Sequence, residues 1–354
     1  TAFVMSKHNI ADFEATYVRL VDYGSQQAKE EAFLSGTDRH TAKEENFGKI
    51  PGCPVAYWVS GAMLRAFKHS LIADVAAPRA GLATGDNTIY QRLWYEVNFT
   101  KIGFGYTDVS ETKTGLHKWF PCDSGGEFRK WATNNEYVVN WENDGQELRN
   151  LRNAAGKLAA RPQNTQYYFK RGLTWNKLSS SRFAVKYKEK GSIYDDTSRS
   201  AFPNSENELY YLIGLLCSRV SFEYLKALNP TMSFTNADIE RLPYVFLESK
   251  KKMIDALVSA NISLSRTDWD SFETSWDFKR HPLITYSVYP VEREVMEPTI
   301  TASGGEDYYI DTTLLYTLEN TFEMWKQECE KRFDTLKRNE EELNRIFIDI
   351  YGLQ

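Results

Sequence analysis

The sequence predicts an α+β protein: a mixed domain of short strands framed by helices, followed by a mostly helical C-terminal region. Three patterns carry that expectation. Between Ile89 and Tyr187 short strand-like segments alternate with turns. After Ser205 the apolar residues switch to helical spacing. From Thr312 to Tyr351 they fall three, four or seven apart, at Leu315, Leu318, Phe322, Trp325, Cys329, Leu336, Leu343, Phe347 and Ile350.

Taken in order, residues 1–78 read as mixed helix and loop, with a helical pattern from about Tyr57 to Phe67 behind the Ile50-Pro51-Gly52 and Cys53-Pro54 breaks. The run Gly81-Leu-Ala-Thr-Gly85-Asp86-Asn87 suits a tight turn offering amides and an Asx side chain. Strand candidates follow at Leu93–Phe99, Glu136–Trp141, Thr165–Lys170 and Phe183–Tyr187. In the last of these, Phe183, Val185 and Tyr187 alternate with Lys186 and Lys188. Between them Trp119 to Trp131 reads as a loop, since its Gly125-Gly126 pair lacks the preceding apolar strand and following long helix of a phosphate cradle. Ser205 and Glu208 have capping-box spacing before a stripe of Leu209, Leu212, Ile213, Leu216, Val220 and Tyr224, which Asn229-Pro230 stops. A short turn from Asn236 ends at Pro243, and a further helix spans Lys250 to Ala260. Trp269, Phe272, Trp276 and Phe278 suggest aromatic packing between domains.

Length points to two or three domains: 1–78, 79–265 and 266–354. A hydrophobic content of 42% with 14% aromatics supports real cores and excludes wholesale disorder. The net charge of −5 argues against indiscriminate nucleic-acid binding, yet it is an average over two unlike regions. Residues 151–190 hold ten Lys/Arg against one acid, a net of +9, whereas 291–354 hold fifteen acids against seven bases, a net of −8. Cys53, Cys122, Cys217 and Cys329 have neither disulfide-frame nor zinc spacing, which suits reduced thiols and a cytoplasmic location. No apolar run has the length of a membrane span.

The chemistry-bearing stretch is Tyr167 to Arg182. An aromatic run leads into Lys170 and Arg171, Gly172 breaks it, and a polar segment brings Trp175, Asn176, Lys177, three serines and Arg182. Protein–DNA interfaces use such a mixture, with cations and hydroxyls on phosphates and Asn or Arg on base edges. No GxxxxGK[ST], HExxH, GxSxG or dinucleotide fingerprint is present, and Asn229-Pro-Thr-Met232 lacks the second proline and the aromatic of an amino-methyltransferase motif.

Several phrases together resemble one family. They are Ile50-Pro-Gly-Cys-Pro-Val-Ala-Tyr-Trp58, Gly81 to Asn87, Gly125-Gly-Glu-Phe-Arg-Lys-Trp131, Val139-Asn-Trp-Glu-Asn-Asp-Gly145, Gly172-Leu-Thr-Trp175, Trp269 to Phe278 and Asn339-Glu-Glu-Glu-Leu-Asn344. They look like the C-terminal half of PglX, the large DNA adenine methyltransferases of BREX phage-defence systems, similar in layout to Type IIG restriction–modification enzymes. The resemblance implies that the methyl-donor loop and the Asn-Pro-Pro-aromatic motif lie upstream of Thr1, so that S-adenosylmethionine is expected there and no cofactor here. The implied parts are the edge of the methyltransferase domain, a target-recognition domain and a helical region.

The leading expectation is a module that grips double-stranded DNA and presents an adenine to the upstream methyltransferase domain, alongside other phage-defence proteins. Phosphate contacts are expected from Lys118, Arg129, Lys130, Lys170, Arg171 and Arg182; base discrimination from Trp175, Asn176, Lys177 and the serines that include Ser179. The alternative is a carbohydrate-binding or glycan-processing module, suggested by nine Trp, twenty-one Tyr and paired acids. The +9 block favours the first, because a neutral sugar has no use for it.

Overall fold

The structure, a computed structural model, describes residues 3–286 except 9, 133, 135, 180 and 181, the strands Glu294–Ile300 and Glu306–Thr312, and residues 318–353. Its class is α+β. A five-stranded mixed sheet has the order Ala76–Arg79, Ser198–Pro203, Gly172–Asn176, Lys186–Lys188, Trp131–Ala132. Its neighbours are antiparallel except the last pair, where Lys186 stands beside Trp131 in parallel register. A four-stranded sheet runs Ile193–Tyr194, Trp119–Asp123, Tyr137–Asn140, Gln91–Leu93.

Each sheet has its own core. The larger one packs Leu173, Trp175, Val185 and Tyr187 against the helices Leu209–Cys217, Arg219–Leu228 and Glu248–Trp269 and the end of the C-terminal helix. The smaller one closes over Phe120, Val139, Trp141, Tyr168, Phe169 and Tyr194. The C-terminal helix, Leu318–Tyr351, is a single 34-residue element, and its Leu343, Ile346, Phe347 and Tyr351 are buried. Helical spacing foretold it from Leu318 on; Leu315 lies outside the described residues.

Several expectations fail locally, each for a physical reason. Thr165–Lys170 is not a strand: Thr165–Tyr167 forms one tight helical turn, and Phe169 sits in the left-handed region at φ 62° with its ring in the core. Gly172 begins the strand instead of breaking it. A Cβ there would lie 2.6 Å from the Ala201 carbonyl oxygen of the neighbouring strand, so only glycine allows the approach. The Leu93–Phe99 candidate stops at Leu93, because the Glu96 carboxylate accepts from the Leu93 amide and winds residues 94–96 into a turn. In the Lys186–Lys188 strand both lysines are buried along with the apolar residues they alternate with.

The helix expected from Ser205 is three pieces. Ser205 makes no side-chain cap, Glu206–Glu208 form a single turn, and Ser218 at ψ 158° separates Leu209–Cys217 from Arg219–Leu228. Asn229 ends the run as expected, its amide donating to Ser233 O and Asp238 Oδ2. The Lys250–Ala260 helix is longer, Glu248–Trp269, and so continues past residue 265. An antiparallel hairpin, Glu294–Ile300 with Glu306–Thr312, interrupts the helical region.

Candidate nucleic-acid interface

The expected site residues divide between the two ends of the Gly172–Asn176 strand. At its start, Lys170 donates to Asp108 Oδ2 at 3.2 Å and to Thr107 O. Arg171 donates to Tyr210 Oη, lies over the Tyr187 and Tyr210 rings and pairs with Glu206 at 3.8 Å. Two hydrogen bonds from Ser110, with Lys170 behind them, hold the Asp108 carboxyl down at about 2. Both cations are therefore engaged within the chain.

Trp175 lies in the middle of the strand, wholly buried, its indole N–H donating to Phe234 O at 3.1 Å. It anchors the strand to the 229–235 segment, and no face of it reaches solvent. At the strand's far end the Asn176 amide donates to Gly126 O at 2.8 Å and to Glu127 O at 3.4 Å. Its Oδ1 accepts from Lys186 Nζ at 3.2 Å. Lys177 pairs with Asp196 at 3.4 Å. Ser179 Oγ donates to Arg182 O, and the Arg182 side chain is exposed. Ser180 and Ser181 fall outside the described residues.

The parallel pairing of Trp131 with Lys186 brings residues 126–131 beside this far end. There Arg129, Asn176, Ser179 and Arg182 share one narrow cleft with Phe128 and Phe234, holding about 10 Å³, the space of one water-sized sphere. The Arg129 guanidinium lies 4.0 Å over the Trp269 ring, half-buried, and burial lowers its pKa. Lys130 turns away and meets Glu340 Oε2 at 2.9 Å; the Trp131 indole donates to Oε1 of the same carboxylate at 2.7 Å. Lys118 stands apart at the start of the Trp119–Asp123 strand, over the Trp119 ring.

Charge pairing sorts these cations. Lys130, Lys170, Arg171 and Lys177 each have a carboxylate within 4 Å. Among the described residues Lys118, Arg129 and Arg182 have none, and two of these three meet at the cleft. Sequence reasoning passed over Lys186, which sits 3% exposed beneath Asn176. Its signal was present only as one more lysine in a basic strand.

Three glycines of the glycine-rich stretches are packed against protein, whereas Gly126 is open. A Cβ at Gly81 would overlap the Tyr194 carbonyl, one at Gly85 would meet Ala159, and one at Gly125 would meet Thr197. Those three glycines permit close backbone packing between strands and loops. Among the described residues no group of His, Cys, Asp and Glu is placed to hold a metal ion.

A mixed α+β module with two arginines at one cleft, neither with a carboxylate within 4 Å, is the class of protein the fold and site define. No family model matches the chain. It is similar to part of the adenine-specific methyltransferases PglX, along its whole length, and BrxX, along most of it. It is 36% identical to adenine-specific methyltransferase PglX of Lacticaseibacillus casei (strain Zhang), over all of this chain and 28% of the relative. It is 30% identical to adenine-specific methyltransferase BrxX of Escherichia coli O9:H4 (strain HS), over 81% of this chain and 22% of the relative. The chain thus spans about a quarter of the length of these curated relatives. Among solved structures, the Type IIL restriction–modification enzyme MmeI in complex with DNA aligns with a TM-score of 0.43 and 13% identity, over 80% of this chain and 34% of that one.

Proposed function

We propose that this chain is the DNA target-recognition part of an adenine-specific methyltransferase: residues 79–265 grip duplex DNA and position an adenine for a methyltransferase domain elsewhere in the protein. The observation that carries the reading is the meeting of Arg129 and Arg182, both without a carboxylate partner, at one cleft with Asn176 and Ser179. Arginines that no carboxylate holds are free to supply the attraction that a phosphate backbone rewards. Lys118 would extend the grip along the smaller sheet. Lys130, Lys170, Arg171 and Lys177 would reach phosphates only by leaving their present carboxylates, and Trp175 acts as the anchor of the strand that carries Asn176.

In the whole protein the methyl group would come from S-adenosylmethionine bound outside this chain, and the partners would be DNA, the methyltransferase domain and other phage-defence proteins. No helix among the described residues is long and apolar enough to cross a membrane, and a cytoplasmic location suits the reading. Of the nine tryptophans behind the glycan alternative, Trp131, Trp141 and Trp175 are buried in the two cores and offer no stacking face. Titration of labelled duplexes at several salt concentrations tests the proposal. The expected outcome is log affinity falling linearly with log salt; salt-independent binding, or none, would refute it.

A further inference from the structure

We propose that a row of surface aromatic rings beside the smaller sheet, Tyr95, Trp94, Phe99, Phe104 and Trp276, stacks nucleobases that have left the duplex. The proposal rests on the reading of this chain as the DNA-binding part of a methyltransferase. It adds a second mode of contact, to the faces of bases and not to phosphates or base edges.

The row is continuous. Trp94 meets Tyr95 at 5.8 Å between ring centroids and Phe99 at 6.2 Å; Phe104 meets Phe99 and Trp276, each at 5.6 Å. The Trp94 indole donates to Thr274 O at 2.9 Å, which ties the 94–104 stretch to the 269–278 stretch far along the chain. None of the five rings is buried, and Tyr95, Phe99 and Phe104 are 55%, 54% and 40% exposed. Rings packed on one another at the surface leave apolar area in water, and a contiguous patch of this kind marks a binding face.

The backbone under Phe104 holds its ring there. Ile102 is buried, and the Gly103 amide donates to Trp119 O at 2.8 Å. A Cβ on Gly103 would lie 2.7 Å from the Phe120 ring, so the loop is pressed onto the smaller core at that point. Phe104 therefore rises from a fixed base, and Phe99 and Trp276 order its ring before any partner arrives. Such preorganisation reduces the entropy lost on binding.

The neighbours of the row indicate what covers it. The Lys118 amide donates to Lys101 O at 3.1 Å, which sets both lysines on the backbone beside the Phe104 loop. Among the described residues neither lysine has a carboxylate within 4 Å. The acids of residues 94–119 are otherwise engaged: Glu96 accepts from the Leu93 amide, Asp108 from Ser110 and Lys170, and Glu111 from Thr107. Exposed rings with cations beside them bind single strands, the rings stacking on bases while the cations follow phosphates. A base paired in a duplex offers only its edge in a groove, so the ligand of these rings is an unpaired base. Taking an adenine out of the stack to reach its amine creates unpaired bases at a recognition site.

The test uses the full chain with three labelled probes: an oligothymidine, an abasic strand of the same length, and a duplex. The abasic strand has the same phosphates and no bases, and it should bind about fivefold or more weakly than the oligothymidine. Phe104→Leu and Tyr95→Ala, both exposed changes, should each weaken oligothymidine binding about five- to hundredfold. Phe104→Tyr, which keeps a ring, should bind as the wild type does. Melting of each variant reports whether it folds, and Tyr95→Ala carries the test if the Phe104 variants do not. Equal binding of the two single strands, or Phe104→Leu binding as well as wild type, would overturn the proposal. Self-association that Phe104→Leu breaks, with oligothymidine binding unchanged, would also overturn it and assign the row to a protein contact. Salt-dependent duplex binding with no preference for bases over the abasic strand would uphold the DNA reading and sink this one. Base-dependent binding of the single strand, without duplex binding, would do the reverse.

Discussion

Replacing Glu340 tests how the C-terminal helix holds the cleft-bearing segment. The carboxylate accepts from Trp131 Nε1 at 2.7 Å and from Lys130 Nζ at 2.9 Å. Trp131 is 2% exposed and adopts φ 73°, a left-handed conformation unusual for a bulky residue, so outside contacts must hold it there. Glu340→Ala leaves a buried indole N–H without an acceptor, a loss of about 1–3 kcal/mol. The Lys130 pair adds little: its side chains are 22% and 29% exposed, and solvent screening limits such pairs to about 0–1 kcal/mol. Glu340→Ala should therefore cost about 1–4 kcal/mol, whereas Glu340→Gln, which keeps a carbonyl oxygen for the indole, should cost about 1 kcal/mol or less. Urea unfolding reads both as midpoint shifts at constant slope. Equal losses for Ala and Gln would show that charge, and not the indole bond, is what matters. A loss below about 0.5 kcal/mol for Ala, the level of an ordinary surface change, would refute the clasp altogether.

Two further outcomes follow from the same geometry. Trp175→Ala should lower stability by about 3–5 kcal/mol, the range for emptying a buried aromatic site, and a melting temperature equal to wild type would show the anchor assignment to be wrong. Asp108 has a carboxyl held at about 2 in the folded chain, against an ordinary value near 3.8, so its contribution to stability is full above about 4 and disappears as pH falls through about 2. A carboxyl NMR titration should show Ser110→Ala and Lys170→Met each raising that midpoint, because each removes a donor that holds the carboxylate, while the Ser110 amide remains in both; a midpoint unmoved by either would contradict the assignment.

What the sequence disclosed depended on whether the deciding contact was local. The C-terminal helix was legible because one face is solvated and Leu336, Leu343, Phe347 and Ile350 mark the other. The stop at Asn229 was legible because proline follows it. The burial of Lys186 and Lys188 was not. Alternation with apolar residues suggests a solvated face, and the carboxylate that accompanies Lys188 is sixty-five positions away at Asp123. The Tyr167–Phe169 run has strand-forming composition, but the smaller core takes its rings and turns the backbone instead. The arginine cleft was half visible. Arg129 and Arg182 were chosen as cations one by one, while their meeting depends on a two-residue parallel pairing that no local pattern encodes.

The polar seam between the sheets sets how this module could be exchanged. Asp123 and Lys188 join a strand of the smaller sheet to one of the larger, with Ser192 Oγ also donating to Asp123 at 2.5 Å. Asp195 accepts from Ser124 and Gln91 on one side and from the Thr197 and Ser198 amides on the other. A graft that imported residues 172–188 alone would strand a carboxylate or an ammonium inside the host, a fault worth about 3–5 kcal/mol. The smallest unit that keeps the charges of this seam matched runs from Gln91 to Ser198, and its larger sheet still packs against the 209–228 and 248–269 helices and meets the Glu340 carboxylate. A chimera that separates Asp123 from Lys188 should therefore misfold before it changes specificity, whereas one that carries the seam together with those helices keeps both cores from which to read a new sequence.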